Sequence, residues 1–151
     1  MGTVRQEIFT TATPAEAWDA IRDIGALHTR LVPGFVTDTR LEPGARIVTF
    51  GNGVVMREPI ISVDDKSMRV AWTADTGFTS HYNGAVQVTS GKNFGACVAW
   101  TADFLPHEAT QKMDELMKSA MEIMKKTLDN SHSGAQREVR CGEIKKNMDS
   151  I

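Results

Sequence analysis

Gly51-Asn52-Gly53-Val54-Val55-Met56-Arg57-Glu58-Pro59-Ile60 is the stretch on which the fold turns. Asn52-Gly53 is the two-residue signal of a tight hairpin, because both central positions of that turn favour φ > 0. The residues after it alternate with period two, as a strand with one buried and one wet face does. On that count Val54, Met56, Glu58 and Ile60 turn one way and Arg57 the other. The same period extends in both directions from the hairpin. Upstream, Phe35 to Leu41 and Arg46 to Phe50 read as strands joined by Glu42-Pro43-Gly44. Downstream, Val54 to Val63, Ser67 to Ala74, Phe78 to Ser90 and Phe94 to Phe104 follow, separated by Asp64-Asp65-Lys66, Asp75-Thr76-Gly77 and Gly91-Lys92-Asn93.

Outside this meander the period changes to 3.6. Thr3 to Thr11 is a first strand, making seven in all, and Thr13-Pro14-Ala15-Glu16 opens a helix with a capping box and proline at the first helical position. Ala17, Trp18, Ile21 and Ile24 form its buried stripe until Gly25, and a second short helix runs from Ala26 to Leu31 before Pro33-Gly34. After Pro106 a helix extends to about Asp129, with Met113, Leu116, Met117, Ala120, Ile123, Met124 and Thr127 on one face. About 22 residues at 1.5 Å each give roughly 33 Å, enough to cross the whole sheet. The expected class is therefore α+β in the helix-grip arrangement, a curved seven-stranded antiparallel sheet wrapped on a long C-terminal helix. Residues 1–130 form the domain and 131–151 a polar, flexible tail. The tail's Val139, Ile144 and Met148, set among basic residues, would also suit a short helix on a partner subunit, and hence a homodimer.

Composition narrows the partners. A net charge of −2 with scattered Lys and Arg residues offers no field to gather phosphates, which argues against nucleic acid. No apolar run is long enough to span a bilayer, and the N-terminus resembles neither a signal peptide nor a myristoylation site, so no membrane association is expected. Cys97, in an apolar strand, and Cys141, in the tail, are no disulfide framework, and a reducing cytoplasm is the simplest compartment. His28, His81, His107 and His132 have no metal-ligand spacing, Gly51-Asn52-Gly53 opens no dinucleotide-binding helix, and no Gly-x-Ser-x-Gly elbow is present. No metal and no cofactor is expected.

The inward side of the sheet carries the functional signal. By parity it holds Met56, Glu58, Trp72, Tyr82, Val86, Val98, Trp100 and Phe104, with Glu58 its one formal charge. A carboxylate on an apolar face must be paired, protonated or solvated in a cavity. The alternative is a one-residue bulge near Pro59 that turns Glu58 outward. A helix laid across a curved sheet need not close it, and such pockets are mostly apolar with a few convergent polar groups. Met56, Glu58, Trp72, Tyr82, Trp100, Met117 and Met121 are the expected ligand-binding residues, with His28 near the mouth. Methionine suits such a wall because it adapts to irregular apolar shapes.

Thr13-Pro14-Ala15-Glu16-Ala17-Trp18, Arg57-Glu58-Pro59-Ile60-Ile61-Ser62-Val63-Asp64-Asp65, Tyr82-Asn83-Gly84 and Trp100-Thr101-Ala102-Asp103-Phe104-Leu105-Pro106, in this order and spacing, resemble the START/polyketide-cyclase superfamily, also called SRPBCC or birch-pollen-allergen-like. The resemblance covers nearly the whole domain and implies the helix grip. Within that group, Glu58-Pro59-Ile60 before Asp64-Asp65 is similar to the Glu-Arg-Leu strand of the plant abscisic-acid receptors, which implies that Glu58, Trp72 and Tyr82 line a cavity. The receptors' Ser-Gly-Leu-Pro gate and His-Arg-Leu latch are missing here, and no basic residue matches the one that fixes the hormone's carboxylate. Hormone reception therefore does not carry over. The expected function is binding or carriage of a small hydrophobic or amphipathic molecule. One alternative is a polyketide cyclase or dehydratase with Glu58 and Tyr82 as catalytic proton-transfer groups. Another is a protein-interaction module like the chaperone activators of the superfamily, with a collapsed interior.

Overall fold

A computed structural model describes the backbone of residues 1–149 and the side chains of residues 1–131. Seven strands form one antiparallel sheet: β1 (Gly2–Thr10), β2 (Val36–Glu42), β3 (Ala45–Phe50), β4 (Val55–Asp64), β5 (Arg69–Thr73), β6 (His81–Ser90) and β7 (Ala96–Leu105). Their order across the sheet is β1-β7-β6-β5-β4-β3-β2, a meander closed on one side by the return of β1. Helix α1 (Pro14–Arg22) and a π-helical turn over Leu27–Leu31 fill the crossover from β1 to β2. Helix α2 (Thr110–Asp149) follows β7 through a 3₁₀ turn at His107–Ala109. This is the helix grip that the alternating periods predict.

Local chemistry sets the element ends. The Thr13 hydroxyl accepts from the Glu16 N–H at 3.2 Å and Pro14 occupies the first turn, as the capping motif requires. Trp18 Nε1–H and Arg22 Nε–H both donate to Asp65 Oδ1, at 2.9 and 2.8 Å, and tie α1 to the β4–β5 turn. Strands β6 and β7 begin at His81 and Ala96, later than the expected Phe78 and Phe94, and residues 130 and 131 continue α2 where a stop was anticipated. Asn and Ser cost a helix only a few tenths of a kcal/mol more than good formers, and no proline follows to break it. The tail over 131–151, the domain boundary at 130 and the suggested subunit contact lie outside the residues described in full.

The core lies between the concave face and α2. Phe104, Met117, Met121, Val48 and Val98 are fully enclosed there, with Trp18 and Ile21 covering one end. Helix α2 is held along β1 by side-chain hydrogen bonds. Gln6 Nε2 donates to Asp114 Oδ1 at 2.6 Å, and Asp129 Oδ1 accepts from the Thr10 hydroxyl at 2.6 Å and the Thr11 N–H at 3.0 Å. Among the described residues no helix is long and apolar enough to cross a membrane.

Candidate functional site

Between the sheet and the first half of α2 the packing leaves a cavity of about 480 Å³. Its floor is Met56 and Glu58 from β4, Tyr82 from β6 and Trp100 from β7, and its roof is Met113, Leu116 and Met117 from α2. The mouth is framed by the Gly34-Phe35 loop, the β3–β4 hairpin and the β5–β6 loop, with Lys112 Nζ held 4.3 Å above the Phe78 ring. A second chamber of about 80 Å³ lies deeper, beneath Leu31, Arg46 and Trp72. Phe35, Phe50, Glu58 and Trp100 border both chambers and form the partition between them. Within it Phe35 and Phe50 meet edge to face, their centroids 5.8 Å apart at 86°.

Five expected binding residues, Met56, Glu58, Tyr82, Trp100 and Met117, thus share the larger cavity. Trp72 instead lines the inner chamber, its ring 5.9 Å from Trp100. Met121 borders neither chamber and is a core residue of α2, and His28 is on neither wall. The fate of Glu58 turns on where the strand is irregular. The pairing of β4 with β5 shifts between Ile60 and Ser62, beyond Glu58, so the carboxylate keeps its inward side and is 6 % exposed. Ile61, at the bulge, faces out at 58 %.

Glu58 does not stand alone, as strand parity had implied. Arg46, 4 % exposed on β3 and its direct cross-strand partner, donates from Nε to Glu58 Oε1 at 2.8 Å. The guanidinium also lies 5.2 Å from the Trp72 ring centroid, and its Nη1 reaches the Ile24 carbonyl at 3.5 Å. The inward face therefore holds two opposite charges with no net charge between them. Burial raises the carboxyl of Glu58 above its ordinary value, and the charge and hydrogen bond of Arg46 pull it back in part. Tyr82 is pushed well above the ordinary phenol value, first by burial and then by the Glu58 charge, so it remains a hydroxyl donor.

Gly84 contributes what a side chain would destroy. A Cβ there would stand 2.6 Å from the Tyr82 hydroxyl oxygen and 3.1 Å from Trp100 Nε1, so glycine is what lets both polar tips fold over β6. Arg46, Gly84 and the Phe35–Phe50 partition are the site features that parity on the strands after the hairpin does not reveal. The hairpin register would have supplied Arg46.

Residues 1–132 match a family model described as polyketide cyclase/dehydrase and lipid transport. No curated protein matches the sequence. Among solved structures, the protein XoxI from Bacillus cereus is 18 % identical, with 90 % of this chain and 99 % of that one covered at a TM-score of 0.77. A protein from Thermobifida fusca is 20 % identical over 87 % of this chain and 93 % of its own, at 0.70. A START superfamily protein from Mycobacterium smegmatis is 9 % identical over 89 % and 99 %, at 0.67. At these identities the likeness is one of fold.

Proposed function

The chain belongs to the polyketide cyclase/dehydrase and lipid transport family of the START-like superfamily, and on that premise we propose that it binds a small hydrophobic or amphipathic molecule inside the helix grip. The observation that carries this reading is the 480 Å³ cavity, which falls in the range of small-molecule sites and is walled by methionine and aromatic side chains. A void of that size in an apolar interior forfeits packing contacts that a ligand restores. It also disfavours an interaction module whose interior is filled.

Binding is favoured over catalysis by the state of the two polar groups. Arg46 occupies one oxygen of Glu58, and Tyr82 is held too far above neutrality to give up its proton readily. The second reading, proton transfer by Glu58 and Tyr82 in a cyclase or dehydratase, draws its support from the raised carboxyl of Glu58. The two part on one variant: Glu58→Gln abolishes turnover of a cyclising substrate if Glu58 is a base, and leaves binding largely intact if it is a wall residue.

The direct test is native mass spectrometry of the full chain as purified. A retained apolar small molecule is expected in the wild type, and its loss in Ala74→Trp, which places an indole at the cavity wall. An unliganded wild type that also fails to take up added apolar probes would sink the proposal.

A further inference from the structure

Trp100, on the wall shared by the two chambers, carries a buried indole N–H with no hydrogen-bond partner among the described residues. The Tyr82 hydroxyl lies near enough for this N–H to draw its phenol down in part against burial, yet the pair falls short of full hydrogen-bond geometry. Buried polar groups are nearly all paired, so an orphaned indole N–H on a cavity wall calls for a reason. Tyr82 and Trp100 both line the larger cavity, and their polar tips lie side by side over the α-carbon of Gly84, so one oxygen of a ligand could reach both. Flat apolar rings border this region, Trp72 against Trp100 and Phe35 edge to face with Phe50.

Resting on the reading of the cavity as a ligand site, we infer that the Tyr82–Trp100 end is a subsite for the neutral oxygen of a ring ketone or phenol, which accepts from Trp100 Nε1–H and the Tyr82 hydroxyl. A carboxylate is the wrong occupant. It would enter beside the Glu58 carboxylate, and the positive charge nearest to it, on Arg46, is already committed to Glu58 at 2.8 Å. The Arg46–Glu58 pair thus makes the closed end polar without making it charged, and selects an uncharged acceptor on a planar ring.

Fluorenone, fluorene and fluorene-9-carboxylate share one ring system and differ in the group offered. Titrated into the full-length protein by calorimetry, fluorenone should bind about threefold to tenfold more tightly than fluorene, the worth of one or two satisfied hydrogen bonds, and the carboxylate most weakly. Trp100→Phe and Tyr82→Phe should each remove most of the fluorenone advantage, read as the ratio of fluorenone to fluorene affinity within each variant, with circular dichroism showing that the variants fold. The carbonyl stretch of bound fluorenone should lie at lower frequency than in hydrocarbon solvent, and shift back in Trp100→Phe. Fluorenone and fluorene binding equally, or an advantage that survives both substitutions, would overturn the subsite while leaving the cavity as an apolar binding site. If none of the three binds, the subsite falls together with the proposal that the cavity accepts small planar apolar molecules.

Discussion

Arg46 and Glu58 stand six residues to either side of Asn52, and the hairpin register sets them directly opposite each other on β3 and β4. Their enclosure has a consequence in pH. Because burial raises the Glu58 carboxyl above its ordinary 4.5, the folded protein holds that proton to higher pH than the unfolded chain does. Where the native state binds more protons, stability falls as pH rises, here from about 4.5 up to the raised native value. Glu58→Gln lacks this titration. The melting temperature of the wild type minus that of Glu58→Gln should therefore shrink as pH is raised from about 4 to about 7, measured by scanning fluorimetry. A difference that widens with pH would mean that the pull of Arg46 outweighs burial. The side taken by Glu58 was legible from a count of two along one strand. Arg46 was hidden because arginine is so seldom fully buried that a charged residue in a strand reads as solvent-facing unless the count is carried back across the turn.

The β3–β4 hairpin sets the shape of the mouth through glycine at one point of close approach. A Cβ on Gly51 would collide with the Gly34 carbonyl oxygen, and Gly51 N–H donates to the Phe35 carbonyl at 2.9 Å, so two loops of the rim are locked backbone to backbone. Gly53, at φ +88, has open space around its α-carbon. Gly51→Ala should cost about 1–3 kcal/mol because backbone must move, whereas Gly53→Ala bears only the strain of left-handed backbone, about 1 kcal/mol. Thermal unfolding followed by circular dichroism should thus rank Gly51→Ala below Gly53→Ala, and the reverse order would show that the rim tolerates separation. Turn chemistry announced this hairpin from Asn52-Gly53 alone. The contact of Gly51 with Gly34 was invisible, because it depends on how two loops far apart in sequence dock.

At the scale of the whole molecule, the change from period two to period 3.6 after Pro106 specified a sheet gripped by one helix, and the strand order agrees with that reading. What the pattern left open was whether the interior is hollow, since methionine and tryptophan at regular spacing describe a filled core as well as a lined one. Phe104 and Met121 fill it, while Met56 and Tyr82 border space. A ligand that occupies this space and does not bind the unfolded chain should stabilise the domain by about 2.7 kcal/mol at a hundredfold excess over Kd. For a chain of this length that raises the melting temperature by roughly 5–10 °C, and Ala74→Trp should abolish the rise. Equal melting of ligand-stripped and reloaded protein would contradict occupancy of the interior.

Helix α2 is stitched to β1 at Gln6–Asp114, beside the cavity roof, and again at Thr10–Asp129 further along. A roof fastened along one eave cannot lift to admit a guest. Traffic must instead cross the opposite threshold, where Lys112 rests on Phe78 and the turn around Thr76 faces the two loops that Gly51 locks together. The rate of exchange will then be written in that one turn, and the long helix will set only how tightly the guest is kept.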